Sequence, residues 1–599
     1  MSAINLTISE LRQAYSNNTL TAESVIFAAV DKAKAQQADT GQAIWLNILS
    51  EQQINAYLAN LKDKSPQTHP LYGIPFAIKD NIDLAHVPTT AACPQFSYIP
   101  EKSAFVVEKL IDAGAIPIGK TNLDQFATGL VGTRSPYGET PNAFNADYIS
   151  GGSSSGSAVA TASATVSFAL GTDTAGSGRV PACFNNLIGL KPTKGLLSTA
   201  GVVPACRSLD CVSIFALTAN DANTVFQVAA EYDVDDCYAR TNPLANQQPV
   251  AVKQDFTFAI PLADQLEFFG DQAYQTEFNK AVSKLEKLGG HKLELDFSPM
   301  LQAAKLLYEG PWVAERYLAT KEVIENTPQA MLEVTHSIIS AGNKPFATDC
   351  FAALYKLQAL KKQADLLVEQ ADFLVTPTAG RHYTRNEISQ NPIGFNSNLG
   401  YYTNFMNLLD FAAIAVPTSF TSNKMPFGIT LFSFALQDQK LLAYADKIMQ
   451  HNKLSLGATN LPFTSAPLPS NNLGFIDIVV CGAHLSGMAL NWQLTERNAV
   501  LLEQTTTAKA YQMYAVAGTV ERPALIRSNQ NTQCFEVEVW RMPTEHFASF
   551  VQGIAQPLGI GKVELIDGRF INGFIAESSA QTGKNISEFG SWRKYKQTQ

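Results

Sequence analysis

The sequence predicts an α/β protein built on a layered, mixed sheet, followed by a smaller α+β domain. Three observations carry this reading. Over residues 73–121, short apolar strand-like runs alternate with an amphipathic helix, the pattern of a layered α/β body. Hydrophobic residues make up 46% of the 599 and charged residues only 16%, against about 25% in ordinary soluble domains, so much of the chain must lie inside a large core. Beyond residue 475 the pattern turns to short strands separated by turn signals.

The elements follow in order. Residues 5–40 read as two helices, with Thr7 or Ser9 capping the first and Thr21 the second. GIPFAIKDNI is a strand ending in Lys79-Asp80, and VVEKLIDAGAIPIGKTN reads as helix, Gly break, buried strand and turn. Residues 150–200 are rich in Gly, Ser and Thr yet interrupted by apolar runs. Residues 280–370 read as mostly helical, with QALKKQADLLVEQ the clearest amphipathic piece. The stretch NKLSLGATNLPFTSAPLPSNNLG has three prolines and few charges and reads as a connector. The expected boundaries are a first domain over 1–455, a linker over 456–474 and a second domain over 475–599. In that second domain FIDIVVCG and CFEVEVW are strands, Asp567-Gly568 marks a hairpin, and PTEHFASFVQGI is a short helix.

Composition excludes several classes. A net charge of −9 argues against a nucleic-acid-binding surface. The eight cysteines contain no C-x-x-C pair, so zinc ribbons and dithiol redox motifs lack support. The N-terminus shows no basic-then-apolar leader, and no apolar run approaches the roughly 20 residues that span a bilayer. The expectation is a reducing, cytoplasmic setting without membrane attachment.

Three segments carry chemistry: Lys79 in AIKDN, Ser153 in SGGSSSGSA and Ser177 in GTDTAGSGRVPA. Alone, a Lys-Asp pair after a strand is usually a solvated turn, and GGSSSG reads as a flexible linker. Here the Gly/Ser run leads straight into AVATASATVSFALGTD, a small-residue apolar segment that belongs in an interior, so it is better read as a tight backbone feature. GTDTAGSG offers consecutive N–H groups with little bulk, suited to holding an oxyanion. A serine nucleophile needs a base. None of the eight histidines lies in a G-x-S-x-G elbow. A lysine serves only when neutral, which requires burial or nearby positive charge to bring it down from about 10.4.

Taken together, these motifs and their spacings, 74 residues from Lys79 to Ser153 and 24 more to Ser177, resemble the amidase-signature family. The resemblance implies a layered α/β/α fold and hydrolysis of carboxamides by a Ser-cisSer-Lys triad. Ser177 is then the nucleophile, Lys79 the ultimate base and Ser153 the bridge, with a cis Gly152–Ser153 peptide. The backbone N–H groups of Thr174, Ala175, Gly176 and Ser177 are the implied oxyanion donors. Within the family, FATGLVGTRSPYG, Gly178 in the nucleophile loop and LLYEGPWVAERY resemble the allophanate hydrolase branch. That branch implies substrate contacts from Gly129, Tyr308 and Arg316. Tyr308 and Arg316 are eight residues apart, about 2.2 turns, and so are expected on one side of one helix. A guanidinium suits the carboxylate of allophanate because it binds bidentately.

VCGAHLSGMALN, YAVAGTVERPAL, GFIAE and FGSWRKY resemble the gamma-glutamylcyclotransferase-like second domain of the same branch. The resemblance implies that this domain helps decarboxylate N-carboxycarbamate, with His484 at the functional position. It further implies no metal or organic cofactor, a biotin-dependent urea carboxylase as upstream partner, and a homodimer. Alternatives are an amidase of other small or fatty carboxamides, the glutaminase component of a tRNA-dependent amidotransferase, and a non-catalytic binding protein on the same fold.

Overall fold

A computed structural model describes residues 4–39, 41–247, 250–468, 475–530 and 532–599. The chain divides into two compact units, Met1–Asn242 with Val252–Pro469, and Pro243–Ala251 with Ser470–Gln599.

The first unit is built on eleven strands: β1 (Trp45–Ile48), β2 (Pro75–Lys79), β3 (Ile116–Thr121), β4 (Phe168–Thr172), β5 (Ile188–Lys191), β6 (Val212–Ala216), β7 (Phe256–Pro261), β8 (Gly290–Leu295), β9 (Phe373–Pro377), β10 (Phe411–Phe420) and β11 (Pro426–Phe434). They form one sheet in the order β1-β3-β2-β4-β6-β5-β10-β11-β9-β7-β8. β3, β2 and β4 run parallel, as do β9, β7 and β8, while antiparallel pairs join the two groups. The expected mixed sheet is therefore present. Strand alternation sends successive side chains to opposite faces. Phe411 and Ala413 of β10 enter one core with the helices Ser298–Glu309 and Ala347–Val368. Ala412, Ile414 and Val416 enter the other, with the helices Gln272–Lys287 and Asp438–Asn452. The sheet is thus a middle layer between two helical ones.

Local readings fare unevenly. Thr21 caps the helix Ala22–Ala38 in a reciprocal box with Ser24. Thr7 stands at the start of Ile8–Ser16 but makes no side-chain cap. The 280–370 stretch is mostly helical but contains β8, whose HKLEL alternation at the sheet edge is masked by the helical pattern on both sides of it. The helix expected through Tyr308 and Arg316 is two helices, Ser298–Glu309 and Val313–Asn326, broken at Gly310-Pro311.

The connector reading also needs correcting over its described part. Residues 453–468 are stitched to the first unit. Asn186 Nδ2 donates to the carbonyls of Ser455 (2.8 Å) and Gly457 (2.9 Å), Ala458 N to Ala162 O (2.8 Å) and Leu468 N to Asp446 Oδ2 (2.9 Å). Leu456 and Leu468 are buried. Low charge and prolines suit a surface-hugging strap as well as a free linker. The rest of the expected linker, 469–474, lies outside the described residues.

The second unit contains β12 (Phe475–Val480), β13 (Val500–Thr506), β14 (Tyr511–Val516), β15 (Arg522–Arg527), β16 (Glu536–Pro543), β17 (Leu558–Glu564), β18 (Phe570–Ala576) and β19 (Lys584–Asn585). They make a five-stranded sheet, β13-β16-β12-β18-β17, and a three-stranded one, β15-β14-β19. The β17–β18 hairpin turns at Gly568, whose φ of +83° suits glycine. The acidic positions of CFEVEVW do not all face water. Glu538 is buried, accepting from Ser486 N (2.8 Å), Trp540 Nε1 (3.0 Å) and Arg593 Nη2 (2.9 Å).

Candidate active site

Lys79 ends β2 and Thr172 ends β4, and these strands are parallel neighbours, with Ile78 opposite Leu170. Residues 93 apart in sequence thus emerge side by side. Lys79 Nζ donates to Thr172 Oγ1 at 2.7 Å and to Ser153 Oγ at 2.8 Å. Ser153 sits just before the helix Ser155–Ala162, in the turn expected to be tight, and the Gly152–Ser153 peptide is cis. A Cβ on Gly152 would lie 2.1 Å from Asp124 Oδ2, so only glycine lets that carboxylate approach. Asp124 N in turn donates to Ser153 O (3.1 Å).

Lys79 and Ser153 are fully buried. Burial brings the Lys79 ammonium down to about 7. Asp124, Asp173 and Asp210 pull it back up, and the positive charge of Arg316 pushes it further down. The neutral lysine that a Ser–Lys relay requires is therefore accessible near neutral pH.

Ser177 lies on the loop between β4 and the helix Val180–Phe184, 4% exposed. A buried ion pair organises this loop. Arg179 grips Asp173 through Nε (2.9 Å) and Nη2 (3.0 Å), and the same carboxylate accepts from Gly176 N (2.7 Å) and Gly178 N (3.1 Å). Burial opposes charge on Asp173, but Arg179 and these N–H groups hold its carboxyl below the usual range. Asn407 Nδ2 donates to the carbonyls of Asp173 (2.6 Å) and Thr174 (3.1 Å), and Thr403 Oγ1 to Ala175 O (2.7 Å). The loop's carbonyls and two of its N–H groups are thus fixed by buried side chains. Of the four expected oxyanion donors, Gly176 directs its N–H to Asp173 Oδ1 at 2.7 Å. Gly178 is required by space, since a Cβ there would meet Ser213 Cβ at 2.5 Å.

Arg316 is 2% exposed. Its guanidinium lies over the Tyr308 ring at 5.7 Å, and Nη1 donates to Thr128 Oγ1 (2.9 Å) and Ala127 O (3.3 Å). The two residues meet across the break between their helices rather than along one helix. Among the described residues, no carboxylate forms an ion pair with Arg316. Gly129 follows Thr128; a Cβ there would lie 2.6 Å from Asp124 Oδ2. The same Asp124 carboxylate accepts from the N–H groups of Val131, Gly132 and Arg134 at 2.9–3.1 Å. Asp124 thus joins the serine turn to the Gly129 loop.

His484 belongs to the second unit. It lines a cavity of about 210 Å³ with Gln493, Arg522, Phe550 and Phe574. Its ring stacks on Phe574 at 4.9 Å, and Nε2 lies 2.9 Å from Gln493 Oε1. An amide oxygen only accepts, so the ring proton sits on Nε2. Burial lowers the imidazole below its usual range, and Arg522 and Arg497 act in the same direction.

Sequence reasoning passed over Thr172, Asp124, Asn407 and the Asp173–Arg179 pair. Only the last left a legible signal, a lone acid and a lone base bracketing the small residues of GTDTAGSGR.

The family model described as Amidase matches residues 24–442. The chain belongs to the amidase family. A second model, described as Allophanate hydrolase C-terminal domain, matches residues 476–597. This amidase-family hydrolase is similar over 99% of its length, and 99% of the other chain, to the solved structure of Kluyveromyces lactis allophanate hydrolase, with 40% identity and a TM-score of 0.76. Urea amidolyase of Saccharomyces cerevisiae is 44% identical over 574 residues, 92% of this chain and 31% of that protein. Urea amidolyase of Lachancea kluyveri is 42% identical over 582 residues, 94% of this chain and 32% of that protein. The chain therefore spans about a third of the length of the urea amidolyases it matches.

Proposed function

We propose that the chain hydrolyses allophanate, with the triad acting in the first unit and His484 in the second. The observation that carries the choice of substrate is Arg316: a buried guanidinium without an ion-paired carboxylate among the described residues, whose charge is felt at the catalytic lysine. Asp210 and Glu315 favour the charge through space but make no contact ion pair with it, so an anionic ligand suits its free donors. Allophanate is a small urea bearing a carboxylate. The near-full-length similarity to an allophanate hydrolase supports the same reading.

Neutral Lys79 draws a proton through Ser153 as Ser177 Oγ attacks the carbamoyl carbon. The N–H groups of Thr174, Ala175 and Ser177 hold the oxyanion. The C–N bond breaks and ammonia leaves with the proton returned by the relay. Water then cleaves the acyl ester and yields N-carboxycarbamate. In the second unit this dianion takes up one proton, assisted by His484, and breaks into CO2 and carbamate, which falls to ammonia and CO2. The carboxylation of urea must supply the substrate, which makes a biotin-dependent urea carboxylase the upstream partner. We assign the working form to a homodimer.

The test is ammonia release from allophanate compared with glutamine and neutral amides. Preference for glutamine would replace this reading with the amidotransferase one. Arg316→Lys is expected to raise KM for allophanate about 10- to 100-fold, the range for lost charge-assisted hydrogen bonds, with a smaller effect on kcat. Equal losses for charged and neutral substrates would make Arg316 structural.

A further inference from the structure

Resting on the reading that Arg316 receives the substrate carboxylate, we propose that Thr128 is the positioning residue that aims this guanidinium and so sets selectivity for carboxylate-bearing substrates. Phe126 and Ala127 both have left-handed conformations, φ +49° and +51°, although neither is glycine. Such residues persist only where the surroundings over-determine them. Here the surroundings do. Gln125 Nε2 donates to the carbonyls of Ala92 and Ala330, both at 3.1 Å, and Gln125 Oε1 accepts from Leu332 N at 2.8 Å. Beyond the turn, Leu130 N donates to Asn396 Oδ1 at 2.8 Å.

The reversal presents both ends of Thr128 to guanidinium groups. Arg134 Nη1 donates to Thr128 O at 3.0 Å and its Nη2 to Pro392 O at 2.5 Å. Arg134 is only 3% exposed and forms no ion pair among the described residues, so it acts as a strut between two loops. On the other side Thr128 Oγ1 donates to Phe126 O at 3.1 Å, which spends its one proton. Its lone pairs then face the Arg316 Nη1–H at 2.9 Å. Thr128 is therefore an acceptor locked in one orientation.

Arg316 has the Tyr308 ring against its face and Thr128 at one end. The ring contact and the short bond to Thr128, with the longer one from the same Nη1 to Ala127 O at 3.3 Å, restrict how this planar fork turns. It presents its remaining edge in a single direction, which bidentate capture of a carboxylate requires. Without the hydroxyl, Nη1 keeps only its longer bond to Ala127 O, so the fork stays buried and charged but is aimed less firmly. The expected loss is in binding of the carboxylate rather than in the relay at Lys79.

The experiment compares Thr128→Val, Thr128→Ser and Arg316→Gln in the full chain, with thermal melting as a check on folding. Steady-state ammonia release from allophanate is read as KM and kcat separately. Thr128→Val, which keeps the shape and removes the hydroxyl, is expected to raise KM about tenfold with kcat held within about twofold, one charge-assisted hydrogen bond's worth. Thr128→Ser is expected to restore KM to within about twofold of the parent, since it keeps the acceptor. Parent-like KM in Thr128→Val beside a raised KM in Arg316→Gln overturns the proposal and leaves the carboxylate reading standing. Parent-like KM in Arg316→Gln overturns the carboxylate reading itself. Loss of kcat in both Thr128 variants makes the residue a scaffold of the loop and overturns its selective role.

Discussion

Ser177→Ala is expected to lower ammonia release on the order of a millionfold, the scale seen when a serine hydrolase loses its nucleophile. Lys79→Met, which keeps the stem and removes the amine, is expected to cost at least about 10²–10⁴-fold, the usual contribution of a positioned base. Ser177 stands on a loop whose carbonyls are tied back by Asn407 and Thr403. Lys79 is fully buried with Nζ 2.8 Å from Ser153 Oγ. Substantial turnover in a folded Lys79→Met protein would remove the assigned base. The pH profile gives an independent check. Only the neutral amine accepts a proton, so kcat/KM should rise with pH through about 7, where burial places Lys79, and level off above it. A lysine at its ordinary position would still be charged at that pH, and the rise would come near about 10.

The second large effect concerns the second unit. His484→Ala is expected to leave the first ammonia intact while lengthening the life of N-carboxycarbamate on the order of 10²-fold, the lower end for a proton-transfer group. Carbon-13 NMR on labelled allophanate follows both events at once. A chain ending at 468 should reproduce the result, because every triad residue lies in the first unit. A cut at 460 is the wrong one: it removes Leu468, which is buried there and bonded to Asp446. An intermediate as short-lived in His484→Ala as in the parent would make the second unit a module of stability or assembly.

The proposed triad is legible in the sequence because its residues lie in short local motifs. Each of Lys79, Ser153 and Ser177 sits in a short run with an ordinary reading of its own, and only the three runs together, at their spacings, point to one chemistry. Arg316 and Tyr308 are legible as residues but not as geometry. Their meeting depends on a helix break at Gly310-Pro311 that an eight-residue spacing hides. The Gly176 N–H turns to Asp173, three residues earlier on the same loop, a bond that the run of small residues does not reveal. Thr128, Arg134 and Asp124 are illegible for a different reason. Their partners lie largely on backbone carbonyls and N–H groups, which nearly every residue possesses and no motif records. The 453–468 strap reads as a free linker because composition reports what a segment can tolerate, not what it touches.

The parallel pairing of β2 with β4 has a consequence for how this scaffold accepts change. The lysine and the nucleophile loop leave neighbouring strands at the same end, one inter-strand spacing of about 4.8 Å apart. The segments to which we assign the substrate carboxylate, the turn at 126–129 and the helix Val313–Asn326, are hung from other parts of the chain. Reaction and recognition are thus separable inheritances. A graft of those two segments, with Arg134 and Gln125 brought along as their moorings, should transplant a taste for carboxylates onto another amidase without disturbing the relay it already owns.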